Sequence, residues 1–356
     1  MDRRKYLEAC LTASAIGVAG CLDGVETREI PSTPPILEDR PVGVYFPTHV
    51  DGMKPIGTSA TDEYAVGLFY TFPHRFWRVD ATTSRPEEAT FHDVDGSQDA
   101  HLMVLLWDPE TETTLPESGV TLEIERDGQS IEEGVVYPML SAQMGFHYGA
   151  NFRLDGDGEY DITVAIGGTT VRRTGAYQGR FGDPETVSFS FSFSAAERAE
   201  ISFERTADRA GDPDVPPVMD MDMPLGVGTP IADLPGDVRG TATSGDAQLV
   251  VTTLEPPAGI GGDGTYIAVS ARTPYNDLVL PTMALEGRLQ RDGASVVEAE
   301  LQRTFDERLG YHYGMVVDDV MDGDELTIDV LTHPQVARHE GYETAFLDMP
   351  SASLVL

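Results

Sequence analysis

The sequence predicts an all-β chain of two tandem antiparallel β-sandwich domains. Three observations carry this. Short stretches alternate apolar and polar residues, no long segment repeats with helical period, and one pattern of residues occurs twice about 165 positions apart.

The strands are read in order. Val120, Leu122 and Ile124 alternate with Thr121, Glu123 and Glu125 and run into Arg126-Asp127-Gly128, a hairpin signal because Asp-Gly accepts the positive φ of a tight turn. Tyr160, Ile162, Val164 and Ile166 alternate next. The cleanest period-two run is 187–193, where Val187, Phe189, Phe191 and Phe193 alternate with serines. The repeat maps His147-Tyr148-Gly149 onto His312-Tyr313-Gly314, Leu115-Pro116 onto Leu280-Pro281 and Arg126-Asp127-Gly128 onto Arg291-Asp292-Gly293. Residues 158–164 then align with 324–330 at an offset one larger. A period this long marks a duplicated domain. Residues 205–236, rich in Pro, Asp and Gly, read as the linker between copies at 41–204 and 237–356.

Residues 1–21 read as an export signal. Arg3-Arg4 begins a twin-arginine pattern, a short apolar run follows, and Val18-Ala19-Gly20-Cys21 resembles a lipobox, with Cys21 as the lipidated thiol. Residues 22–40, with Pro31, Pro34 and Pro35, read as a tether. The expectation is a protein held by lipid on the outer face of the cell membrane. Cys10 is the other cysteine, so a processed chain keeps no thiol for a disulfide, a metal site or a nucleophile.

The 356 residues hold 60 acidic and 24 basic side chains, a formal net charge of −36, and only Lys5 and Lys54 are lysines. Such a surface excludes sequence-independent nucleic-acid binding and polybasic docking on anionic lipid. It suits molar salt, where the screening length falls to about 3 Å, and points to a halophilic archaeon. At 40% hydrophobic the chain can build real cores. No P-loop, Gly-x-Ser-x-Gly elbow, His-Glu-x-x-His or dinucleotide fingerprint is present, and the chain is read as a non-enzyme.

Tyr137-Pro138-Met139, then His147-Tyr148-Gly149-Ala150-Asn151, then Gly158-Glu159-Tyr160-Asp161-Ile162-Thr163, resembles the periplasmic Fe2+ transport protein family. Val42-Gly43-Val44-Tyr45-Phe46 and Met53-Lys54-Pro55-Ile56-Gly57 resemble that family's opening strand and turn. The likeness spans roughly 41–195 and, more faintly, 237–356. It implies immunoglobulin-like sandwiches that pair as dimers, a copper or iron site of His, Met and Glu side chains, and delivery of the ion to an iron permease. Two fused modules would then form in one chain the pair that relatives form by dimerisation. Carried over residue by residue, Met139 and His147 are the metal ligands. This chain departs from the pattern in three places. No histidine stands beside Glu63, Arg172 and Arg173 stand near Val171 where a late histidine cluster belongs, and Tyr137 replaces a methionine. Glu63, His49, His74, His92 or His101 would have to complete the shell. In the second copy Thr304 stands for Met139, while His312 is kept, which suggests a structural role for His312.

The leading expectation is a lipid-anchored metal-binding protein of iron or copper acquisition. The rival is a metal-free adhesion or scaffold lipoprotein. Two further features bear on metal binding. Met219-Asp220-Met221-Asp222-Met223 would place three thioethers on one face of an extended segment and two carboxylates on the other. It reads as a linker leaning on a domain, with soft-metal capture as the alternative. Asp155-Gly156-Asp157-Gly158 and 318–325 resemble fragments of calcium loops without the full ligand spacing.

Overall fold

The computed structural model describes residues 33–79, 84–86 and 88–356. The export signal with Cys21, and most of the tether, lie outside the described residues.

The first half contains β1 (His49–Asp51), β2 (Lys54–Ala60), β3 (Ala65–Thr71), β4 (Phe76–Arg78), β5 (Thr90–His92), β6 (Ala100–Trp107), β7 (Val120–Arg126), β8 (Gln129–Ser141), β9 (Gly145–Phe152), β10 (Gly158–Ile166), β11 (Arg172–Arg173), β12 (Glu185–Phe193) and β13 (Phe203–Arg205). The second half contains β14 (Asp237–Ser244), β15 (Ala247–Leu254), β16 (Thr265–Arg272), β17 (Ala284–Arg291), β18 (Ala294–Asp306), β19 (Gly310–Val317), β20 (Glu325–Thr332), β21 (Ala337–Arg338) and β22 (Ala352–Val355). The alternating runs predicted from sequence are strands whose apolar members are buried, as in β7, β10 and β12. Asp127-Gly128 and Asp292-Gly293 both take positive φ at both residues, the geometry of the tight hairpin turn.

The repeat is also a repeat of topology. The strand order is β12-β10-β7-β8-β9-β6-β3-β2 in the first module and β22-β20-β17-β18-β19-β16-β15-β14 in the second. In each, one long strand turns the corner between two layers. Strand β8 pairs β7 as far as Val136 and β9 from Tyr137 onward, and β18 pairs β17 as far as Leu301 and β19 from Gln302. A strand that switches sheets closes an antiparallel sandwich around its apolar face.

The modules exchange short strands. Strand β21 of the second runs parallel to β8, with Ala337 beside Met139, and pairs β4 through Arg338 and Trp77. Strand β11 of the first runs parallel to β18, with Arg172 beside Thr304. Since Thr304 is the repeat partner of Met139, the two exchanges occupy equivalent places. A single buried apolar cluster runs through both modules, from Val44 to Leu356. The linker segment 219–223 lies on the first module, its methionines packed with Phe69, Met103, Leu105 and Met144.

Candidate metal centre

Strands β6, β8 and β9 lie side by side, and period-two alternation sorts their side chains. Leu102, Val104, Tyr148 and Ala150 point into the sandwich. His101, His147 and Asn151 therefore lie on the opposite face, and Met139 sits directly across from His147 in the β8–β9 register. That face is covered by β21 and the residues after it, which bring in His339. The His339 amide donates to the Leu140 carbonyl at 3.0 Å.

His101, His147 and His339 each offer a ring nitrogen, and these all lie within 4.8 Å of one another. Met139 and His101 have no exposed surface, and His147 and His339 are buried. The Nε2 atoms of all three histidines are buried without a hydrogen-bond partner. The opposite nitrogens are each engaged. His101 Nδ1 is 2.8 Å from Asn151 Oδ1, His147 Nδ1 is 3.2 Å from the Gly145 carbonyl, and His339 Nδ1 is 3.1 Å from His74 Nδ1. Asn151 Oδ1 also accepts the His74 amide, which fixes it as the oxygen, and a carbonyl only accepts. So His101 and His147 carry their protons on Nδ1 and turn an Nε2 lone pair inward. His74 Nε2 lies 2.8 Å from Asp51 Oδ2. One of the two facing Nδ1 atoms of His74 and His339 carries the proton between them, and His339 Nε2 is left without a partner. Burial pushes all three imidazoles down, His147 to about 4 and His101 and His339 well below their ordinary value, with neighbouring histidines adding to the shift at His101 and His339. They are neutral and ligand-ready at neutral pH. Burial alone would raise the Asp51 carboxyl, but His74 carries it below its usual value.

Gly149 makes the hollow between these groups. A Cβ there would stand 2.8 Å from His101 Nε2 and 3.2 Å from Met139 Sδ. Both donor atoms therefore border the space that the missing side chain leaves. This glycine serves close approach rather than a special backbone angle. Between His147 and Gly149, Tyr148 points the other way, accepting the Ser118 amide and donating to the Leu115 carbonyl.

Three clustered imidazoles with unpartnered Nε2 atoms, and a thioether beside one of them, fit a transition metal. Imidazole and thioether suit copper, and a buried polar atom without a partner is otherwise costly. The outer contacts, Asn151, Gly145 and the His74–Asp51 pair, orient the rings as partners behind a metal site do.

The second copy has no such set. At the places of His101, Met139 and His147 stand Tyr266, Thr304 and His312. His312 is satisfied on both sides, by the Gly310 carbonyl at 3.0 Å and Tyr266 Oη at 3.0 Å. Arg172 of β11 fills the space, donating to Thr304 Oγ1 at 3.0 Å, Tyr266 Oη at 2.9 Å and the Gly314 carbonyl at 3.0 Å. A fixed guanidinium stands where the first module has its hollow.

Of the residues singled out from sequence, the structure thus brings together Met139, His147 and His101. It places Glu63 elsewhere, as acceptor for the Phe181 amide at 2.7 Å, because its strand end faces the loop at 181. His312 lies in the other module, held by its own partners. His92 stacks on Phe76, and His49 stacks on Phe203. The calcium-like fragments are taken by arginine. The carbonyls of Asp155 and Asp157 accept from Arg126, and Asp319 and Asp324 pair with Arg291. The candidate ligand that sequence reasoning missed is His339. The resemblance puts a late histidine near 171–173, and the 165 offset carries that window to 336–338, with His339 next to it.

No curated protein matches the chain. Among solved structures it is similar to a copper-bound variant of FetP from uropathogenic Escherichia coli strain F11, at 22% identity and a TM-score of 0.31, over 40% of this chain and 97% of that one. As-isolated FetP from the same strain is similar at 22% identity and a TM-score of 0.29, over 41% and 96%. The copper-reconstituted P19 protein from Campylobacter jejuni is similar at 20% identity and a TM-score of 0.31, over 40% and 96%. Residues 78–190 and 232–355, more than half of the chain, match the family described as "Domain of unknown function (DUF7350)", and the chain belongs to that family.

Proposed function

We propose that this protein binds a transition metal, copper before iron, as cargo to be passed on rather than as a catalytic centre. The observation that carries this is three buried histidines whose ring nitrogens lie within 4.8 Å of one another and whose Nε2 atoms have no hydrogen-bond partner, with the Met139 thioether and His101 Nε2 both bordering Gly149. The donors are neutral, so a soft ion of low charge is stabilised best. Cu(I) suits three imidazoles and a thioether, while Fe(II) gains less from sulfur. A scaffold role gives no reason to bury three unpaired imidazole nitrogens together, since each costs desolvation free energy unless something binds it.

The ion would also join the modules, because His339 comes from the second and the other donors from the first. With a lipid on Cys21 the protein would hold its cargo at the outer face of the membrane, beside a permease that receives it.

The test is competition titration of the metal-free protein against chelators of known affinity, with Cu(I), Cu(II) and Fe(II). His101→Ala, His147→Ala and His339→Ala are each expected to weaken copper binding at least tenfold, about 1.4 kcal/mol. Wild-type binding no tighter than millimolar would leave the scaffold reading.

A further inference from the structure

The methionine row of the linker has a place in the fold that packing alone does not use. Met219, Met221 and Met223 are half-buried and turn inward, while Asp220 and Asp222 are exposed. The row is tied to the loop that leads into His147. The Met219 amide donates to the Gln143 carbonyl at 2.9 Å, and the Phe146 amide donates to the Leu225 carbonyl at 3.2 Å. Beneath the row lies an open cleft of about 670 Å3 bordered by Met53, Phe69, Met219, Met221 and Met223. A second cavity of about 30 Å3 is bordered by Met53, Met103, Met144 and Met219 together with His147 and His339, the rest of its lining being mostly polar and including Asp51 and His74. That volume holds one water-sized particle. Met53 and Met219 border both spaces. Thioethers therefore line both the cleft beside Asp220 and Asp222 and the cavity that His147 and His339 border.

This inference rests on the metal-binding reading above. We infer that the methionine row is the entrance of the site, through which Cu(I) passes by exchange from one thioether to the next until the imidazoles take it. Thioethers bind Cu(I) weakly and exchange it readily, and they bind harder ions poorly, so such a passage selects the ion before the histidines hold it. The exposed Asp220 and Asp222 raise the local concentration of cations at its mouth. The ion enters and arrives as Cu(I), so no electron is transferred.

The experiment follows loading of the full-length, metal-free protein by stopped flow. Cu(I) is presented as its coloured bicinchoninate complex, and Ni(II), an ion that imidazole binds without help from sulfur, serves as the control. The variant is Met219→Leu/Met221→Leu/Met223→Leu, which nearly conserves volume. Its Cu(I) loading rate is expected to fall at least tenfold, with equilibrium affinity within twofold of wild type and Ni(II) loading unchanged. Wild-type Cu(I) loading by the variant would overturn the inference. So would equal slowing of Ni(II), which marks disturbed packing, or a parallel loss of affinity, which marks the methionines as ligands. A wild-type protein that takes up no Cu(I) would instead overturn the metal-binding reading itself.

Discussion

At the scale of single residues, the two His-Tyr-Gly motifs are the same three letters set to different tasks, and the neighbour across the strand decides which. His147 faces His101 and Met139 and keeps a free Nε2, whereas His312 faces Tyr266 and gives its Nε2 to the hydroxyl. His312→Ala is expected to leave copper affinity within twofold of wild type while lowering stability by about 1–3 kcal/mol, because Tyr266 loses a buried partner. Met139→Leu is expected to do the reverse, weakening copper about tenfold at a stability cost under about 1.5 kcal/mol. Chelator competition and denaturant unfolding on the two variants check the pair. The glycines provide a second contrast. In Gly149→Ala the new methyl would enter the hollow at 2.8 Å from His101 Nε2. Metal binding should be lost at a cost of about 1–3 kcal/mol in overpacking. In Gly314→Ala the methyl would meet Tyr266 Oη at 2.0 Å, and copper affinity should hold in whatever folded protein is recovered. Retained copper binding by Gly149→Ala would mean that the hollow is not where the ion sits.

At the scale of elements, the exchanged strands do what the modules cannot do alone. Strand β21 has only two residues, yet it seals the outer face of β8, places His339, and pairs with β4 as well. Strand β11 mirrors it and carries an arginine into the equivalent space. Cleavage within 206–236 is therefore expected to give two fragments that stay together in native buffer and separate only in denaturant. A module made as residues 33–204 alone, lacking His339, is expected to bind copper at least tenfold more weakly than the intact chain. Size-exclusion chromatography of the nicked protein and titration of the isolated module are the measurements. Fragments that part freely would show that the exchange contributes little to stability.

At the scale of the whole molecule, the net charge of −36 is spread over a surface with few cations, and the arginines are largely committed to named partners such as Asp108, Asp324 and Glu340. In molar salt the repulsion among carboxylates is screened within about 3 Å, and at about 0.1 M it reaches roughly 10 Å. The unfolding midpoint followed by circular dichroism is expected to rise steadily from about 0.1 M to molar KCl. A midpoint independent of salt would separate the acidic composition from any need for salt.

The sequence by itself determined the all-β class, the strands and the duplication. Alternation, turn residues and a repeat offset are local signals that survive without knowledge of packing, and Val187, Phe189, Phe191 and Phe193 are buried as their spacing demands. It also pointed to two candidate ligands, Met139 and His147, through the resemblance they carry, and it put His101 among those able to join them. Only the tertiary structure decided the rest. His339 lies 192 positions from His147 and in the other copy, and no pattern along one strand can state that a short strand of one module docks on its sibling. The same docking sets Arg172 into the second copy, so the two halves of a duplicated sequence became unequal through contacts made between them. A lone pair without a partner is likewise a fact of three dimensions. Which imidazole nitrogen is satisfied depends on the groups that surround it, and here Asn151, Gly145 and His74 satisfy one side of each ring and leave each Nε2 without a partner.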